Sequence, residues 1–455
     1  MRHWHPRHTL YNYRRVRKTG RINVSPPIVL TAGFAVLSVI GMGLLLLPFS
    51  THEGISVLAA LFSAVSAVTI TGLTTVDIGT TYTPIGQAIL IALVQIGGLG
   101  FVTLSVTAAL ALGKRISLHH QALAQEAFNQ TNVSTVRQIA YAMIKITFVI
   151  ELIGIVIFTL WWWQGTPFMQ ALGQGIFHGI SAFNNAGMSI STTQIIDYAG
   201  DPVIILGTTL LIILGGIGFS VIHDVRQKRN WRHLMPYTRI VIIGTLVLNL
   251  TGFCLIWLME RNNPATFAPL SISDQALAAW LQTITTRTAG FSSVIISELE
   301  DSTTVLMMLF MFIGGGSLSL ASGIKIGTFI VLMAAARAYI FQHPQPTLLN
   351  RAISEDTVQK SLALLLITSL LIFFATLLMT IFETAPFISI LFEVVSAVST
   401  TGLSRDLTPT LSPPSQILVI LLMFVGRLGP LALIYSLSAK RRSHVRYPET
   451  TFQVG

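Results

Sequence analysis

The stretch Phe62-Ser63-Ala64-Val65-Ser66-Ala67-Val68-Thr69-Ile70-Thr71-Gly72-Leu73 decides the fold, because the chain repeats its outline three more times. Phe177 leads to Gly187-Met188, Trp280 to Gly290-Phe291 and Phe392 to Gly402-Leu403, with the aromatic residue always ten positions before the glycine. A serine sits six positions before the glycine in three copies (Ser66, Ser181, Ser396), and the third copy has Ile284 there. A period of this kind means one structural unit used repeatedly. Four equivalent glycines suggest four backbone segments meeting around an axis, the arrangement by which carbonyl oxygens replace an ion's water shell inside a membrane.

The surroundings of these cassettes are apolar. The 455 residues are 52% hydrophobic and 10% charged, with a mean hydropathy of +0.70. A soluble domain carries about 25% charged residues, so the chain reads as a polytopic membrane protein. Runs near 27–49, 84–112, 136–162, 202–222, 237–259, 303–340 (interrupted), 357–382 and 413–438 are the length of spans, about 20 residues per helix. Each cassette falls between the first and second span of a pair. It predicts a helix of about ten residues, about 15 Å long, which stops mid-membrane and is followed by an extended segment. Such backbone is tolerated at that depth only beside a wet cavity or buried in protein. The C-terminal ends of the four helices would present partial negative charge to the axis, favouring a cation.

Charge gives the direction. Basic residues fill the N-terminal arm (Arg14, Arg15, Arg17, Lys18, Arg21), the 226–239 loop (Arg226, Lys228, Arg229, Arg232, Arg239) and the tail (Lys440, Arg441, Arg442, Arg446), which places both termini in the cytoplasm. The long apolar stretch after the arm reads as a span rather than a cleaved signal. Acidic residues (Asp77, Asp197, Asp201, Glu298, Glu300, Asp301, Glu383, Asp406) occupy the alternate connections, where they would keep the outer surface wet or concentrate cations. Basic residues split among loops do not form a nucleic-acid surface. The lone cysteine, Cys254, reads as a small apolar filler and excludes an intrachain disulfide.

The expected architecture is all-α: four span–short helix–filter–span units, hence eight transmembrane helices and four re-entrant pore helices in a pseudo-fourfold arrangement. The divisions are a basic arm (1–24), unit one (25–112), a cytoplasmic loop (113–135), unit two (136–223), a loop (224–236), unit three (237–341), a loop (342–356), unit four (357–439) and a tail (440–455). Each second span also carries a glycine cluster, at Gly97-Gly98-Leu99-Gly100, Gly215-Gly216-Ile217-Gly218, Gly314-Gly315-Gly316 and Gly426-Arg427-Leu428-Gly429. Close helix packing accounts for such clusters. The third runs on through Ser317, Leu318, Ser319, Leu320, Ala321 and Ser322 to Gly323, a composition that breaks a helix, since each glycine costs about 1 kcal/mol relative to alanine. A broken helix at membrane depth marks a cavity or a moving element. Lys325 follows it, Arg427 lies in the fourth cluster, and Glu151 sits deep in the third span. A charge in a span is costly and functional by default. Arg427 fits a gate, and Glu151 is either functional or a structural partner for a polar group on a neighbouring span.

Together these motifs resemble the Trk/Ktr/HKT superfamily of potassium transporters, most closely the membrane subunit of bacterial Ktr systems. The likeness covers nearly the whole chain. Its filter segments correspond to Thr69-Ile70-Thr71-Gly72, Asn185-Ala186-Gly187, Thr288-Ala289-Gly290 and Thr400-Thr401-Gly402. Its gating loop corresponds to Gly314, Gly315, Gly316, Ser317, Ser319, Ser322 and Gly323 before Lys325, and the last span and tail correspond to Arg427 and Tyr447-Pro448-Glu449. The resemblance implies K⁺ uptake across the plasma membrane by a homodimer with one pore per subunit, in contact with membrane lipid and regulated by a cytosolic RCK-type nucleotide-binding ring. K⁺ is then the permeant ion, Na⁺ stimulation is left open, and no organic cofactor or nucleic acid is implied. Glycine at all four filter positions resembles potassium-selective members; serine at the first, in some plant relatives, favours sodium. Leu318, Leu320 and Ala321 depart from the threonine or glycine common in relatives, and Met188 from phenylalanine. The alternatives are a secondary transporter of another substrate, a non-selective K⁺/Na⁺ transporter and a membrane enzyme. The first normally has two repeats rather than four. The last lacks its motifs: there is no His-Glu-x-x-His and no phosphate-binding Gly-Lys-Ser/Thr loop. His119, His120, His178 and His223 read as solvated or hydrogen-bonded histidines, and the Asn-x-Ser/Thr matches at Asn129 and Asn132 as chance.

Overall fold

The computed structural model describes residues 26–100, 133–193, 195–317 and 319–429. The basic arm, the 113–132 loop with its histidines and Asn matches, Leu318 and the tail with Tyr447-Pro448-Glu449 lie outside these residues. The described chain is helical apart from one antiparallel pair of two-residue strands, Thr347–Leu348 with Arg351–Ala352.

The helices come in four groups of long, short and second helix. Group one is α1 (Pro26–Leu45), α2 (Val57–Val68) and α3 (Pro84–Leu99). Group two is α4 (Val133–Trp162), α5 (Phe168–Phe183) and α6 (Pro202–Gly216), with α7 (Phe219–Lys228) continuing from α6. Group three is α8 (Pro236–Glu260), α9 (Ile272–Thr285) and α10 (Asp301–Phe312), followed by α11 (Ile326–Ile340); group four is α12 (Glu355–Phe382), α13 (Phe387–Ser399) and α14 (Pro413–Leu428). The short helices start where the sequence supplies a stop or cap. The Ser56 hydroxyl accepts from Ala59 N–H at 3.1 Å. Ser271 does the same for Asp274 at 3.3 Å. Pro167 and Pro386 precede α5 and α13.

Each short helix packs on the long helix of its own group, and the second helix of each group packs on the short helix of the next: α3 on α5, α6 on α9, α10 on α13, and α14 back on α2. That last contact closes the chain of groups into a ring.

Polarity is distributed as a bilayer demands. Large apolar side chains stand outward on the long helices, among them Leu152, Leu246, Leu250, Leu366 and Phe373, while Ser63, Ser66, Thr69 and Thr71 are fully buried. Among the described residues, three unbroken helices have the length and apolarity of a span: Met143–Trp162, Pro236–Glu260 and Glu355–Phe382. The span expected at 202–222 is instead a pair, α6 and α7, bent by 92°. The spans expected at 84–112 and 413–438 are described only as far as residues 100 and 429.

Two expectations need correction. The sixth span is not alone in breaking at its glycine cluster. The second helices of all four groups end at theirs. Positive φ follows at Gly100 (78°), Gly218 (104°) and Gly429 (83°). Glycine there carries no Cβ to resist a left-handed turn. Cys254 is not a core filler either, since it lies exposed on α8.

Candidate functional site

The four cassette glycines converge. A Cβ on Gly187 would lie 2.6 Å from the Ala289 carbonyl oxygen and 2.6 Å from Gly290 Cα; one on Gly290 would lie 2.6 Å from the Thr401 oxygen. A Cβ on Gly402 would overlap the Thr71 oxygen and come within 3.0 Å of Gly72 Cα, and one on Gly72 would overlap the Ala186 oxygen. The order 72, 187, 290, 402 and back to 72 is a closed ring of backbone with no room for a side chain. All four glycines have positive φ, between 64° and 93°.

The segments leading into the ring are not extended, as the sequence suggested. Two positions before each glycine a non-glycine residue is also left-handed: Ile70 (φ 50°), Asn185 (57°), Thr288 (69°) and Thr400 (48°). The sign of φ therefore alternates along each segment, and successive carbonyls need not alternate sides as they do in a strand. Three of these residues are β-branched, for which this region is a genuine outlier, and strain of about 1–3 kcal/mol per residue persists only where the surroundings over-determine it.

The surroundings do so through the helix ends. Ile70 N–H donates to Ala67 O at 3.1 Å and Thr71 N–H to Ser66 O at 2.9 Å, the paired bonds of a Schellman end with its left-handed residue at Ile70. Asn185 and Ala186, then Thr400 and Thr401, repeat the pattern toward Ala182 and Ser181, and Ala397 and Ser396. The cassette serine adds a further tie. The Ser66 hydroxyl accepts from Gly72 N–H at 3.0 Å and Ser396 from Gly402 N–H at 3.1 Å, whereas Ser181 donates to Met188 O at 2.8 Å. Ile284 can do none of this, and the third segment closes differently, by Ala289 N–H donating to Thr285 O at 2.9 Å. The hydroxyls of Thr288, Thr400 and Thr401 are buried without a hydrogen-bond partner among the described residues.

The glycine clusters seat this assembly. A Cβ at Gly97, Gly215 or Gly426 would overlap the carbonyl of Val68, Phe183 or Val398, each four residues before its cassette glycine. These are close-packing glycines. In group three Gly314 packs on the Ser322 carbonyl instead, because the chain folds back on itself between α10 and α11.

That fold-back is the segment expected to gate. Gly314 N–H donates to Ile324 O at 2.9 Å and Ile326 N–H to Gly315 O at 3.0 Å; Gly316 and Leu320 N–H reach Gly216 and Gly215 O at the end of α6, at 2.9 and 3.1 Å. Ser317 N–H donates to the Tyr237 hydroxyl at 2.7 Å. Arg427 on α14 reaches across: its guanidinium donates to Leu320 O at 2.6 Å, Ser322 Oγ at 3.4 Å and Gly97 O at 3.1 Å. Lys325 donates to Ala321 O. A cavity of about 400 Å³ lies between this segment and the end of α13, with Ser319, Ser322, Lys325, Ser399 and Arg427 among its walls.

Comparison with known proteins places this geometry. The profile of the family described as "TrkH: Cation transport protein" matches residues 25–444.

The chain belongs to this family. It is 39% identical to the Ktr system potassium uptake protein B of Bacillus subtilis, over 94% of this chain and 96% of that protein. It is 31% identical to the potassium/sodium uptake protein NtpJ of Enterococcus hirae, over 97% of this chain and 99% of that one. Among solved structures, the potassium transporter TrkH of Vibrio parahaemolyticus shares the fold, with a TM-score of 0.71 at 20% identity over 92% of this chain and 86% of that chain. The TrkH family consists of membrane transporters of cations, not enzymes.

Within the family fold, Glu151 meets polar groups on two neighbouring helices. Its carboxylate accepts from Gln95 Nε2 and Asn184 Nδ2, both at 2.9 Å, and Asn184 also donates to Gln95 Oε1 at 2.8 Å, joining α3, α4 and the end of α5 just before Asn185. His178 is hydrogen-bonded to the Thr208 hydroxyl at 2.7 Å, as the sequence suggested. Many acidic residues of the connections serve local roles. Asp201 caps α6 through Val203 and Ile204 N–H and accepts from Trp161 Nε1 at 2.7 Å, and Asp301 pairs with Arg405 at 3.2 Å. Burial would raise the Glu383 carboxyl, but hydrogen bonds from Ser415 and Ser412 outweigh it and hold its pKa below the usual carboxylate value.

The sequence reading missed two buried charges inside the cassettes. Glu393 in α13 accepts from Ser404 at 2.7 Å and from Thr408. Arg287, three residues before Gly290, donates to Asn249 Oδ1 and to Gly314 O, both at 3.3 Å. Their positions inside the cassettes, amid uncharged equivalents, were the available signal.

Proposed function

We propose that this chain is the membrane subunit of a K⁺ uptake system of the Ktr type, in which ions pass through the glycine ring. The carrying observation is the closed order of Gly72, Gly187, Gly290 and Gly402 with alternating φ, which supports coordination by backbone oxygens of residues 69–72, 185–187, 288–290 and 400–402. The ends of α2, α5, α9 and α13 lead into the ring, so their partial negative charge favours a cation. In this reading the four groups are span–pore helix–filter–span repeats, eight spans in all, with both termini cytoplasmic. One charge crossing 100 mV gains about 2.3 kcal/mol, a sufficient driving force for uptake without hydrolysis. The segment from Gly314 to Gly323, with Lys325 and Arg427, is the gate: Arg427 holds it against the first group, and its charge opposes cation passage until it moves.

The relatives' Ktr system names support a cytosolic partner subunit; a nucleotide-binding ring of the RCK type and a homodimer in the plasma membrane complete the proposal. A second reading, permeation of both K⁺ and Na⁺, draws support from the potassium/sodium name of the Enterococcus relative. The decisive experiment expresses the chain in a K⁺-uptake-deficient cell, with and without a cytosolic RCK-type subunit. Growth at low K⁺ that improves with the partner is the expected result, and no growth in either case would refute the proposal. Na⁺ flux in proteoliposomes separates the two readings.

A further inference from the structure

We infer that Arg287 is a positioning residue that ties the third filter segment to the start of the gating segment, so that the two shift together. The inference rests on the filter-and-gate reading above. Arg287 is only 7% exposed, and its guanidinium forms no ion pair among the described residues. An unpaired buried cation is expensive, and removing water from it is tolerated only where other dipoles replace the water. Here the replacement comes from two directions, the Asn249 side-chain oxygen on α8 and the Gly314 carbonyl just past the end of α10. Past a helix end, carbonyls lack intrahelical partners, and a basic side chain satisfies them.

The other three cassettes carry Thr69, Asn184 and Ser399 at the position of Arg287. The cation therefore occurs only in the copy whose second span folds back into the gating segment. Arg427 and Lys325 hold the far part of that segment through Leu320, Ala321 and Ser322, and the Tyr237 hydroxyl holds Ser317, while Arg287 anchors its first residue, Gly314. A cavity of only about 10 Å³ adjoins it, lined by Thr245, Asn249, Gly216 and Gly315 among others. The guanidinium therefore has no more than a water-sized space to move into. Displacing Gly314 must then pull on Arg287, and through its backbone on Thr288, Ala289 and Gly290.

The test uses the full chain in proteoliposomes, reading basal K⁺ flux and the K⁺/Na⁺ flux ratio together for Arg287→Met, Arg287→Lys, Asn249→Ala and Arg427→Ala. Arg287→Met removes both charged hydrogen bonds and should raise basal flux and lower the ratio by about tenfold each. Arg287→Lys, which can reach one anchor but not fork to both, should restore part of each change. Asn249→Ala should shift both in the same sense by a smaller factor, and it carries the test should Arg287→Met fail to insert. Arg427→Ala should raise flux and, with Arg287 in place, shift the ratio as well; raised flux at an unchanged ratio would overturn the coupling. A well-folded Arg287→Met that alters only one quantity, or neither, overturns the inference while the gate reading stands. If Arg427→Ala leaves flux unchanged, the gate reading itself falls.

Discussion

Gly187→Ala is the sharpest test of the ring, because it adds one carbon and no polarity. Its Cβ would sit 2.6 Å from both the Ala289 oxygen and Gly290 Cα. Non-bonded carbons prefer about 3.5–4.0 Å. Relief of the overlap requires the second and third segments to part by about 1 Å. The backbone adds to this: φ at position 187 is 64°. A left-handed conformation costs an alanine about 1–2 kcal/mol. Strain of that size is comparable to the energy of about 1.4 kcal/mol that corresponds to a factor of ten in an equilibrium constant. If widening the ring relieves most of it, K⁺ loses its fit relative to Na⁺, and selectivity should fall by about tenfold. The assay is K⁺ and Na⁺ uptake into proteoliposomes of purified protein, with melting temperature as a check on folding. Gly43→Ala is the control, since nothing lies within 4 Å of a Cβ there and φ is not positive. Gly72→Ser and Gly402→Ser should act in the same direction and more strongly, because their Cβ atoms would overlap carbonyl oxygens. A Gly187→Ala protein that melts as the wild type and keeps its K⁺/Na⁺ ratio would refute the assignment of the ring as a filter.

Arg427→Ala removes the contacts to Leu320, Ser322 and Gly97 and should raise basal K⁺ flux; a fall would mean the arginine supports permeation rather than obstructing it. Glu151→Ala leaves the Gln95 amide without its acceptor and removes one of the three acceptors of the Asn184 amide, and should destabilise the protein by about 1–3 kcal/mol, with Glu151→Gln milder; equal melting of all three proteins would show that the network contributes nothing. The Glu383 carboxyl is held below its usual value in the folded chain. Its contribution is therefore complete above the unfolded carboxylate pKa of about 4.3 and is lost as pH falls through the folded value. Glu383→Gln should accordingly melt with less dependence on pH in that acid range, and an identical pH profile would remove the site from the stability balance.

Much of the fold was readable in one dimension because membranes impose simple rules. Runs of about 20 apolar residues, basic loops and a ten-residue aromatic-to-glycine offset mark the groups and their order. The left-handed residues at Ile70, Thr288 and Thr400 were not readable. Helix ends of this kind favour glycine or asparagine, so only Asn185 announces itself, and the β-branched residues are held there by bonds the sequence does not show. The clusters at 97, 215 and 426 gave the packing role correctly, yet the breaks that follow them emerged only where the groups dock against one another.

By itself, then, the sequence determined the repeated unit, the position of each cassette glycine and the candidacy of Arg427, since local periodicity and hydropathy carry that information. Only the tertiary structure decided which glycine meets which, what Glu151 accepts from and what Arg287 holds. Those contacts join residues far apart along the chain, as in the bond from Arg427 to Gly97, which are 330 positions apart. Each depends on four groups closing into a ring at once, and no local stretch of sequence contains that closure.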